Sequence, residues 1–254
     1  MKTLLSAILF LCLFAANVHL YSSTGHDVAI DCPLCGTKVS YWEQLSYSIF
    51  TYGLDLKPMG AARIPQPIPK CENCGFAFIE DYFNDEEIKT LRHHIVDQNA
   101  FSGKENFPDY YYLAFETELL NSKNYDEVVY FYVCSVWEYS FSKLTAEYME
   151  KEGIENVNGI NFETDKFIFL MQNAIEKINY LDNDSGQYNN MQLVKLDFLR
   201  RSNLFDEAKA LIESIKNNER IYQGIAVDII AYQIELIEKS DVNEHYLNEI
   251  EKND

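Results

Sequence analysis

The chain is expected to be mainly α-helical. A small β segment tied by cysteines should open it, and an antiparallel helical array should follow. Three observations carry that expectation. Cys-x-x-Cys-Gly occurs twice, as "CPLCG" from Cys32 and "CENCG" from Cys71. Five of the six prolines fall between residues 27 and 80, where they favour irregular backbone. From Asn84 onward apolar residues recur at helical spacing, with few helix breakers.

Composition bounds the rest. The 254 residues are 47% hydrophobic and 14% aromatic, so the chain can bury a real core. The formal net charge is −19. Binding to phosphates needs clustered Lys and Arg, and no such cluster is visible. Nucleic acids and anionic membrane surfaces are therefore disfavoured as partners. Proteins or peptides with basic or apolar patches fit better.

The elements follow in order. "MKTLLSAILFLCLFAANVHL" has one Lys and then an apolar run from Leu4 to Ala16. That is the layout of a secretory signal, and residues 1–25 are expected to be a signal peptide or an uncleaved N-terminal anchor. Leu11 before Cys12 is not the small residue that lipidation wants. The protein is thus expected outside the cytoplasm, secreted or in the cell envelope, and on a membrane only through that segment.

Residues 27–80 are expected to be a small cysteine-tied domain. "DVAIDCPLCG" opens like a strand, and "GFAFIE" after Cys74 reads as a second short one. Pro58, Pro65, Pro67 and Pro69 make the intervening stretch an extended excursion.

Residues 84–254 are expected to be helical. Asn84 and Glu87 form a capping-box pattern, as do Asp241 and Glu244 ahead of a helix over 242–251. Further helices are expected over 110–120, 126–149, 190–201, 206–217 and 222–238. Between them Phe167, Leu170, Met171, Ala174, Ile178 and Leu181 mark one apolar helix face. "EGIENVNG" (152–159) and "DNDSG" (182–186) read as loops. "LLNSKNYDEVVYF" (119–131) echoes "LRRSNLFDEAKAL" (199–211) at an offset of 80. In each a helix ends, a polar turn follows, an aromatic packs and an Asp caps the next helix. That is the grammar of tetratricopeptide-type helix pairs.

The paired cysteines carry the chemistry. A Cys-x-x-Cys turn lets two thiolates reach one ion, and Gly after the second Cys permits the left-handed backbone of the turn. The doubled pattern points to one structural Zn²⁺ on Cys32, Cys35, Cys71 and Cys74. Two rivals stand beside it. Export favours disulfides. "CPLC" also resembles an oxidoreductase pair, which requires a helix N-terminus at the first Cys.

"CPLCG…CENCGFAFIEDYF", followed by helices and "LVKLDFLRRSNLFDEAKALIESI", resembles the bacterial domain-of-unknown-function family 2225. The resemblance spans most of residues 30–216. It implies a four-cysteine zinc ribbon joined to tetratricopeptide-like helices, with Cys32, Cys35, Cys71 and Cys74 as ligands. Two features depart from the family: Glu72 stands where such knuckles often carry Pro, and an export signal is present.

Other candidates are weighed against plainer readings. His93-His94 reads as a solvated helix face. His26 could contact the first knuckle. The 182–186 loop lacks the closing Glu of a calcium loop, with Leu193 at the twelfth place. Cys134 reads as a buried small apolar residue. Tyr130, Trp137 and Tyr139 could line a partner groove, although such aromatics more often pack in cores. No nucleophile elbow, phosphate loop or metalloprotease helix is present. The expected function is an exported, non-enzymatic interaction protein that binds a protein or peptide through its helical array. The alternative is a thiol–disulfide oxidoreductase or another envelope enzyme using a Cys-x-x-Cys pair.

Overall fold

A computed structural model describes residues 24–61, 63–97, 107–120, 123–152 and 163–250, with the side chains of 142 and 144–152 excepted. The apolar run, Cys12 and most of the expected 152–159 loop lie outside the described residues. The chain is mainly helical with a small β portion at its N-terminal end.

Strands β1 (Thr24–Asp31) and β2 (Lys38–Ser46) form an antiparallel hairpin, in register from Asp31 opposite Lys38. The sequence reading had no strand at β2. Strands β3 (Ile49–Tyr52) and β4 (Pro58–Gly60) form a second hairpin. Gly60 must be glycine, because a Cβ there would sit 1.8 Å from the Ser48 carbonyl oxygen. "GFAFIE" forms a single bridge, Lys70 opposite Ala77, rather than the expected strand.

Eight α-helices follow among the described residues. In α1 (Asp85–Arg92) the capping box is present: Asn84 accepts from Glu86 and Glu87, and Glu87 accepts from the Asn84 N–H. The helix runs into a π-helical turn, His93–Asp97. Then come α2 (Asp109–Leu120), α3 (Tyr125–Glu152), α4 (Thr164–Asn179), α5 (Tyr188–Arg201), α6 (Phe205–Lys216), α7 (Ile225–Glu238) and the short α8 (Leu247–Ile250). Successive helices from α2 to α7 pack on one another, and α5 also meets α7. None of the described helices is long and apolar enough to cross a membrane.

Burial explains the helix sequences. α4 buries five of the six residues expected of its apolar face, and Leu181, the sixth, is buried just beyond the helix end. α2 and α3 are different. Tyr110, Tyr111 and Tyr112 are all buried, and so is nearly every residue from Val128 to Ser140. A helix that is apolar all round is a core helix. That decides the aromatic residues expected to line a groove. Trp137 and Tyr139 are only 5% and 6% exposed, packed inside the bundle, while Tyr130 is 43% exposed.

Three expected caps are placed differently. Before α3 it is Asn124 that accepts from the Asp126 N–H, while Asp126 and Asp206 lie within first turns. Asp241 bonds Asn243, and Glu244 faces Arg201, so the last helix begins only at Leu247. Arg201 draws Glu244 inward, and a capping box cannot form there.

Packing runs across the expected boundary near residue 80. Leu54, Ile68 and Ala77 belong to the main helical core. The Leu54 N–H donates to the His245 carbonyl, stitching the β3–β4 turn to the C-terminal segment.

Candidate metal centre

The first knuckle is the loop of the β1–β2 hairpin. Cys32 N–H donates to the Thr37 carbonyl at 2.9 Å, and Gly36 N–H donates to the Cys32 carbonyl at 2.8 Å. The second knuckle repeats this bond for bond. Cys71 N–H donates to the Phe76 carbonyl at 2.8 Å, and Gly75 N–H donates to the Cys71 carbonyl at 2.7 Å. Gly36 and Gly75 take φ of 72° and 78°, the left-handed region open to glycine. The repeat read in sequence is therefore a repeat of backbone geometry.

The two knuckles face each other. Cys32 Sγ lies 3.7 Å from Cys74 Sγ, and Cys35 Sγ lies 3.5 Å from Cys71 Sγ. All four sulfurs lie within 4.8 Å of one another. A disulfide requires about 2.05 Å. Four thiolates about 2.3 Å from one ion stand about 3.8 Å apart along a tetrahedral edge. The separations match the second geometry, and a four-thiol donor set suits a soft or borderline divalent ion. The four cysteines can therefore hold one metal ion.

The surroundings support such a site. Cys32 and Cys71 are buried beside Leu34, Val39, Phe76 and Phe78, and Leu91 of α1 and Ile95 of the π-helical turn join the same cluster. Phe76 and Phe78 stack with centroids 5.3 Å apart. Two side chains that sequence reading missed tie the knuckles to helices. Arg92 of α1 donates to the Pro33 carbonyl at 3.4 Å, and buried Glu116 of α2 accepts from the Ala77 N–H at 3.1 Å. Nothing in their local sequence marks them, since each acts on backbone distant in the chain.

The thiols divide electrostatically. Burial pushes Cys32 up to about 11 and raises Cys74 further. Burial also opposes ionisation of Cys35, but the Thr37 hydroxyl and N–H, with Asn73 and Cys71, outweigh it and bring that thiol down to about 6. A divalent cation would supply the positive charge that the buried sulfurs otherwise lack.

The remaining candidates lie elsewhere. His26 pairs with Glu43 at 3.6 Å on the hairpin, and exposed His93 pairs with Asp97 at 3.2 Å. Cys134 is fully buried in α3. The 182–186 segment is a polar turn closed by Ser185 N–H to the Asp182 carbonyl. Neither Cys-x-x-Cys pair sits at a helix start. Comparison of the chain with protein-family models, with curated proteins and with solved structures finds no match.

Proposed function

We propose that the chain is an exported, non-enzymatic protein-interaction module built around one structural Zn²⁺. The observation that carries this reading is the approach of four sulfurs from two equivalent knuckles, at separations suited to a tetrahedral ion. Cys32, Cys35, Cys71 and Cys74 would hold it. The ion would offset half the charge of the four thiolates and lock the β1–β2 hairpin to the second knuckle. The resemblance to family 2225 implies the same ligands.

The helices would form tetratricopeptide-like pairs. Both echoing segments coincide with a helix–turn–helix, α2–α3 and α5–α6, which supports that reading. The array would present a surface to a protein or peptide. The hairpin setting of both cysteine pairs, away from any helix N-terminus, favours structure over thiol redox catalysis.

Metal content and free thiols measured on the same sample test this reading. The expected result is about one zinc per chain, with four thiols that react only after denaturant and chelator. Stoichiometric disulfides without metal would sink it. Cys32→Ser should loosen the knuckles and their contact with α1, while most helical circular dichroism persists.

A further inference from the structure

β2 has a partner on one side only. Among the described residues its sheet has two strands, with β1 on one edge and no strand on the other. A cleft of 680 Å³ opens beside it, adjoined by a smaller one of 230 Å³. Consecutive residues Ser40, Tyr41 and Trp42 line the larger cleft. Neighbours in a strand point to opposite faces, so a cleft touching all three runs along the strand's edge.

The opposite wall carries Pro67 and Ile68, with Pro69 at the smaller cleft. Two residues of this wall, Pro67 and Pro69, have no N–H. Among the described residues this wall forms no ladder with β2, and the strand edge is open to another chain.

Gln44 supplies a second, independent observation. It is 8% exposed, lines both clefts, and its buried Nε2 has no hydrogen-bond partner. A buried amide donor without an acceptor is costly unless a ligand provides one. A peptide carbonyl is such an acceptor.

Charge selects among peptides. The two clefts are lined by the cations Arg63 and Lys70 and by the carboxylates Glu43, Glu72, Glu80 and Asp109. Both cations are already paired, Arg63 with Glu138 at 3.0 Å and Lys70 with Asp109 at 3.3 Å. The surplus is negative, as it is for the chain at −19. Field and lining both favour a basic occupant.

We propose that an extended basic peptide binds in this cleft by adding a strand to the free edge of β2. Its backbone pairs with residues 40–44, one carbonyl accepts from Gln44 Nε2, and an apolar side chain packs against Tyr41 and Pro67. This deepens the interaction reading above and moves the contact from the helices to the cysteine-bearing segment. It differs from the zinc assignment, which metal content reports separately.

The test uses the full chain and a blocked peptide, acetyl-Thr-Val-Lys-Val-Lys-Val-Thr-amide. Amide chemical shifts and hydrogen exchange are followed during titration. Expected are shifts concentrated at residues 40–44 and 65–70, with slowed exchange on β2. The analogue with Glu in place of Lys should bind about tenfold more weakly at low salt. A version N-methylated on every internal amide should not bind, since neither of its edges can form the ladder. Gln44→Met should weaken the Lys peptide about fivefold with zinc content unchanged. Equal binding of the N-methylated peptide would overturn strand addition. Absence of any shift at 40–44 with millimolar peptide would overturn the site.

Discussion

Arg201 Nη1 lies 3.4 Å from Asp55 Oδ2, joining residues 146 positions apart in an ion pair from which solvent is almost excluded. Asp55 sits in the β3–β4 turn, and its other oxygen accepts from the Lys57 N–H at 3.1 Å. Arg201 ends α5 and also reaches Asp197 at 3.4 Å and Glu244 at 3.6 Å. Beside it, fully buried Arg200 donates to Gln233, Asp197 and the carbonyls of Asp241 and Asn243. The two arginines bind the β3–β4 turn, α5, α7 and the C-terminal segment into one polar core.

Arg201→Met should therefore destabilise the protein more than an ordinary surface change. It leaves Asp55, Asp197 and Glu244 buried with one fewer cation. Breaking such a network by removing one partner costs about 3–5 kcal/mol. Urea unfolding of the variant should show that loss, and adding Asp55→Asn should restore part of it. A loss below 1 kcal/mol, the scale of an exposed pair, would mean that water reaches the cluster.

These arginines also mark what the sequence could show. Local signals were legible. Asn84 and Glu87 are three residues apart, and the capping box they predict is present. The apolar stripe of α4 and the paired knuckles are local in the same sense. β2 was hidden because "KVSYWEQLS" has no clean alternation, with Gln44 buried and Leu45 exposed. The Asp241–Glu244 cap failed because Arg201, remote in the chain, competes for Glu244. Trp137 and Tyr139 read as core more readily than as groove, and the burial of both in α3 agrees with the core reading. The metal ligands could be read because their spacing is the signal. Asp55, Glu116 and Arg92 could not, because their partners are remote in the chain.

Acidity should stabilise the fold over part of the pH range. Burial holds Glu138 up at about 7; Asp109 pushes the same way, while Arg63 and the Tyr110 N–H pull it down. Burial also raises Glu116, and it lifts Asp55 to about 6. A carboxyl raised in the folded state favours folding below its unfolded value near 4.5. That contribution is lost as pH rises through the folded value. For Glu138 the loss is roughly 3 kcal/mol between pH 4.5 and 7. Asp197, lowered by Arg200 and Arg201 against its burial, works in the opposite sense at lower pH. Glu138→Gln should therefore narrow the stability gap between pH 5 and pH 7.5. Denaturant midpoints of parent and variant at each pH check this, and the metal's own pH dependence cancels in the difference. An unchanged gap would show that Arg63 holds Glu138 ionised throughout.

Gly36 offers a test of the metal centre that leaves every ligand in place. Its φ of 72° is required where the first knuckle turns back and its N–H reaches the Cys32 carbonyl. A Cβ added there would meet nothing within 4 Å, so substitution carries no clash. The penalty is then conformational alone, about 1–2 kcal/mol for alanine in the left-handed region. If the knuckle closes around a metal, that penalty falls on binding and lowers zinc affinity roughly 5–30-fold. Asn tolerates this backbone better, so Gly36→Asn should fall between Gly36→Ala and the parent. Competition with a chromophoric chelator measures all three. The order Gly, Asn, Ala with constant stoichiometry is the signature of a knuckle whose backbone is set by the ion. Equal affinities would mean that the turn is built without it, and the four sulfurs would then owe their approach to the hydrophobic cluster around Leu34, Phe76 and Leu91.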